Sequence, residues 1–90
     1  MAKITVEATR ESTYRVIIDE GVNKTTHTVT VTPQDVARYA TPGASPERLI
    51  EASFEFLLER EPAGAILSTF ALPVIERYFP DYPRVIRTML

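Results

Sequence analysis

The 90-residue chain has no cysteine, no tryptophan, one histidine (His27) and only three glycines. Without cysteine there can be no disulfide, thiolate nucleophile or Cys-containing zinc site. A single histidine leaves no basis for a His-rich metal site, and no cofactor or metal is expected. No apolar run approaches the ~20 residues of a membrane-spanning helix. The opening MAKITVEATR lacks the apolar core of a signal peptide. The expected location is the cytoplasm, away from membranes. An excess of charge is missing too. The formal net charge is −2 and the pI is about 5.3. That counts against a nucleic-acid binder, whose affinity rests largely on neutralising phosphates.

What is present is an ordinary globular composition, 44% hydrophobic and 24% charged. A chain of this size buries roughly 60–65% of its unfolded surface, enough for one core without staples. One domain spanning 1–90 is expected, with a β meander over 1–32 and a helical part over 33–90.

Three segments alternate with period two. In KITVEAT, Ile4, Val6 and Ala8 face one way. In TYRVIIDE, Tyr14, Val16 and Ile18 do so, and in TTHTVTVT, His27, Val29 and Val31. This is the pattern of half-buried strands. The short connections at Glu11-Ser12 and Gly21–Lys24 favour antiparallel neighbours, with one apolar face and one threonine-rich face.

At Pro33 the period changes. Thr32-Pro33 and Ser45-Pro46 are N-cap and first-turn pairs that open helices. From about Pro46 to Arg60, apolar side chains cover over half of the helix circumference, so this helix is expected at the centre of the core. Glu61-Pro62 ends it. AGAILSTF reads as a further short helix carrying Ile66, Leu67 and Phe70. Pro73 starts another, and the last carries Val85, Ile86, Met89 and Leu90. The predicted fold is α+β: a three-stranded antiparallel meander followed by about four helical segments on one face.

Few residues invite chemistry. His27 could act as a base with Asp19 or Glu20 across the hairpin, which gives a small-enzyme reading. The default is a histidine at the rim of the apolar face. Ser53 lies within the apolar arc of its helix, without a Gly-x-Ser-x-Gly elbow, and is expected to bond back one turn. Glu51, Glu55 and Glu59 recur at i, i+4 and i+8, a solvated line partly neutralised by Arg48 and open to a basic partner. Two nucleic-acid outlines are visible. One is helix-turn-helix over AILSTFALPVIERYFP; the other is ribbon-helix-helix using TTHTVTVT, and both lack a basic footprint.

RYFPDYPRVIR is the most unusual stretch. Arg77, Tyr78, Phe79, Tyr82, Arg84 and Arg87 combine residue types enriched at interface hot spots around two stiffening prolines. They form the candidate interaction surface, unless the rings simply close the core. The favoured function is therefore a small non-catalytic interaction or adaptor domain, its partner another protein or a second copy. The THTVTV strand, the SPERLIEASFEFLLEREP helix and the VIERYFPDY motif also resemble a family of small bacterial proteins with no assigned activity. The resemblance implies a complete bacterial domain and nothing about substrates.

Overall fold

Alternation in the first third produces the meander. The computed structural model describes residues 2–90. Strands β1 (Lys3–Arg10), β2 (Thr13–Asp19) and β3 (Lys24–Thr30) pair antiparallel in sequence order. Val16, Ile18, His27 and Val29 are buried on one face, while Glu7, Arg15, Thr26 and Thr28 are exposed on the other. Both hairpins turn through left-handed backbone, at Ser12 (φ 58°) and Gly21 (φ 91°). Gly21 supplies that conformation without steric cost, and its amide is held by Asp19 Oδ1 at 2.9 Å.

Helix α1 (Pro33–Tyr39) opens on a reciprocal cap. The Asp35 amide donates to Thr32 Oγ1 at 3.2 Å, and the Thr32 amide donates to Asp35 Oδ2 at 2.9 Å. Together these satisfy two otherwise unpaired donors. Helix α2 (Pro46–Leu58) starts at Ser45 in the same manner, with the Arg48 amide 3.1 Å from Ser45 Oγ. Its apolar arc makes it the central helix. Leu49, Ile50, Ala52, Phe54 and Phe56 are fully buried. Past its end, Arg60 returns over the Phe56 ring, 3.6 Å from the centroid, and donates to the Phe56 carbonyl at 3.1 Å.

After α2 the structure corrects the sequence expectation. AGAILSTF is not a helix. It forms a single 3-10 turn at Ala63–Ala65 and a fourth strand, β4 (Thr69–Ala71), parallel to β3. The sheet order is β1-β2-β3-β4, four strands where three were predicted. The Thr28 amide donates to the Ser68 carbonyl at 2.7 Å, and the Leu72 amide to the Thr30 carbonyl at 3.0 Å. The intervening α1 and α2 supply the long crossover that a parallel pair requires. Helices α3 (Val74–Tyr78) and α4 (Tyr82–Thr88) complete the chain.

Candidate functional site

Replacing a helix by β4 changes what the surface offers. The chain bends at the 3-10 turn, runs along β3 and turns again into α3. Between these pieces and the end of α2 lies an open groove of about 370 Å³. Leu57, Ile66, Phe70, Val74, Ile75 and Phe79 form its apolar walls, with Leu67 and Tyr78 at its lips and Glu61 the one carboxylate on its rim. Leu67 is 47% exposed and Tyr78 67%; among the described residues the other exposed large hydrophobic is Val22, at the hairpin tip.

One wall is pinned from beneath by His27. The imidazole is 2% exposed and lies 5.4 Å from the Phe54 ring. It therefore sits inside the core rather than at its rim. Nδ1 is 2.8 Å from the Leu67 carbonyl and Nε2 is 2.9 Å from Thr25 Oγ1. A carbonyl only accepts, so Nδ1 carries a proton and donates, while Nε2 is paired with the Thr25 hydroxyl. Both nitrogens are spent on structure. The cross-strand partner of His27 is Val16, and Asp19 pairs with Lys24 at the far end of the hairpin. Neither ring nitrogen is bonded to a carboxylate among the described residues.

The RYFPDYPRVIR residues separate. Tyr78 and Phe79 border the groove. Phe79 also meets the Phe56 ring edge-on at 5.8 Å. Tyr82 is fully buried, with Tyr39 5.1 Å and Phe56 5.3 Å away between ring centroids. Arg77 belongs instead to a polar cleft between α1 and α3, where Glu76 accepts from the Tyr39 hydroxyl at 2.8 Å and from Arg38 at 3.2 Å. Burial and this bond push the Tyr39 phenol up to about 12. Arg84 is exposed on α4, and Arg87 donates to the Pro83 carbonyl at 3.0 Å and to the Arg38 carbonyl. The six residues thus form no single patch. Leu67 and the groove escaped sequence reading, because a helix over AILSTF would have turned Ile66, Leu67 and Phe70 into the core.

The other candidates are placed as follows. Ser53 Oγ donates to the Leu49 carbonyl at 2.6 Å and lies 2.7 Å from the Tyr82 hydroxyl. Arg48 bridges Glu51 at 2.8 Å and Glu55 at 3.5 Å. Strand β3 is flanked by β2 and β4, whereas a ribbon-helix-helix strand pairs across a dimer. The first helix of the helix-turn-helix outline is the 3-10 turn and β4. Among the described residues no group of three His, Cys, Asp or Glu side chains is placed to hold a metal ion, and no helix is long and apolar enough to cross a membrane. Comparison with family models, with curated proteins and with solved structures gives no match.

Proposed function

We propose that this is a non-catalytic protein-interaction domain, and that the groove between α2, β4 and α3 is where a partner's apolar side chains insert. One observation carries the reading: two of the three exposed large hydrophobics among the described residues, Leu67 and Tyr78, lie on this one groove. Isolated exposed apolar residues need no explanation, but a concave apolar site with an aromatic lip fits the anchor-and-pocket pattern of interface hot spots. The backbone that carries Leu67 is held by His27, so the lip is presented at low ordering cost. Glu61 on the rim favours an anchor flanked by a basic residue.

A photo-crosslinking residue placed at Leu67 in cells tests this. A discrete adduct is expected, lost on Tyr78→Asp. Val22 is the more exposed and does not line the groove, so a probe there serves as the control. The same adduct from Val22, or an adduct indifferent to Tyr78→Asp, rejects the proposal.

A further inference from the structure

The other edge of the sheet is open along β1. The Ser12 carbonyl accepts from the Val31 amide and the Glu20 amide donates to the Asn23 carbonyl, both at 2.8 Å. Even-numbered residues of β2 therefore turn their backbone groups toward β3, and odd-numbered ones toward β1. Through the register Lys3↔Asp19, Thr5↔Ile17 and Glu7↔Arg15, the odd residues of β1 are the ones bonded to β2. Ile4, Val6 and Ala8 turn their N–H and C=O groups away from the sheet. Among the described residues no strand covers that side, since β1 is terminal in the sheet order.

Helix α2 runs along this edge on the inner face. Val6 lies beside Glu47, Arg48 and Glu51. Ala2, Lys3 and Ile4 lie beside Glu51, Glu55, Leu58 and Glu59, three carboxylates to the one lysine. The floor, made by Ile4, Val6 and Leu58, is apolar and half-buried. The wall is acidic: Arg48 is shared between Glu51 and Glu55, and Arg60, 3.5 Å from Glu59, also reaches Asp81 at 3.6 Å.

We infer that the β1 edge accepts a fifth strand from another protein: an extended segment with lysine or arginine at every second position. Backbone pairing to Ile4, Val6 and Ala8 supplies the ladder, as in recognition by strand addition. Alternate side chains of the added strand fall on the inner face. There the aliphatic stem of a lysine or arginine covers Ile4, Val6 and Leu58 while its charged head reaches the carboxylates of α2. A second copy of this chain fits less well. Pairing β1 with its symmetry mate would bring the two α2 helices side by side on one face, acidic row against acidic row, and like charges so placed disfavour association. The acidic row thus guards the edge against self-pairing, a hazard of any open strand, and selects a basic strand.

The test uses the full 15N-labelled chain with a blocked octapeptide alternating lysine and threonine, at low salt. Binding is expected to protect the amides of Ile4, Val6 and Ala8 from hydrogen exchange and to shift the resonances of Glu51, Glu55 and Glu59. The triple variant E51Q/E55Q/E59Q should bind about tenfold more weakly, the combined effect of three exposed ion pairs each worth a few-fold. N-methylating one alternate set of peptide residues should abolish binding, and methylating the other should spare it. Equal binding of a glutamate–threonine peptide overturns the inference, as does binding without protection of the β1 amides. It is also overturned if those amides are already protected in a dimer of the free protein. The groove proposed above is at the opposite sheet edge, so neither result bears on the other.

Discussion

At the scale of single residues, Tyr82, Ser53 and the Leu49 carbonyl form a directed chain of hydrogen bonds in the core. Ser53 donates its one proton to the Leu49 carbonyl, so the hydroxyl 2.7 Å away on Tyr82 must donate to Ser53. The order matters for mutation. Tyr82→Phe removes a donor and leaves Ser53 still bonded to Leu49, which should cost about 1 kcal/mol. Ser53→Ala leaves a fully buried Tyr82 hydroxyl without an acceptor, at a cost of about 1–3 kcal/mol. The double variant should cost less than the two single ones together, because the pair is coupled. Urea midpoints of the three variants check this; a Ser53→Ala midpoint above that of Tyr82→Phe contradicts the assigned direction. The back-bond of Ser53 was readable from its place in an apolar helical arc. Its second partner was not, because a buried hydroxyl 29 residues away leaves no local pattern.

At the scale of elements, legibility followed length and period. The meander and α2 run seven to thirteen residues with sustained alternation or helical spacing, and tertiary packing agrees with the local pattern. Strand β4 has three residues. So short a segment has no period of its own, and the spacing of Ile66, Leu67 and Phe70 mimics one helical turn. What makes it a strand is the open edge of β3, a partner contributed from about 40 positions earlier in the chain. The groove depends on that pairing, which is why its residues were missed while Tyr78 and Phe79, flagged by composition alone, were found. Helix α2 ties the two halves together: Phe54 lies 5.4 Å from His27 on β3 and 5.9 Å from Phe70 on β4. Phe54→Ala should therefore cost about 3–5 kcal/mol, a large part of the ~5–15 kcal/mol that holds a domain together. A thermal midpoint close to that of the unmodified chain would show that α2 does not seat the sheet as described.

At the scale of the whole molecule, two buried phenols link folding to alkaline pH. Burial, and then the bond to Glu76, raise Tyr39 from 10.0 to about 12. Burial raises Tyr82 as well. Both groups bind their protons more tightly folded than unfolded. Below the unfolded value near 10 both states are fully protonated at these sites, and their contribution to stability is intact. Above it the unfolded chain gives up protons that the folded chain keeps, so stability falls as pH rises from about 10 toward 12. The unfolding free energy should be level from neutral pH to about pH 9, as far as the phenols are concerned, and then decline. Phenolate absorbance from Tyr39 and Tyr82 should appear together with loss of the fold. Tyr39→Phe and Tyr82→Phe should each start from a lower stability but lose less of it with rising pH, since each removes one of the linked protons. Denaturant titrations of the three chains at neutral pH and at about pH 11 measure that difference. Equal slopes for all three would mean that neither phenol is held in its neutral form by the fold.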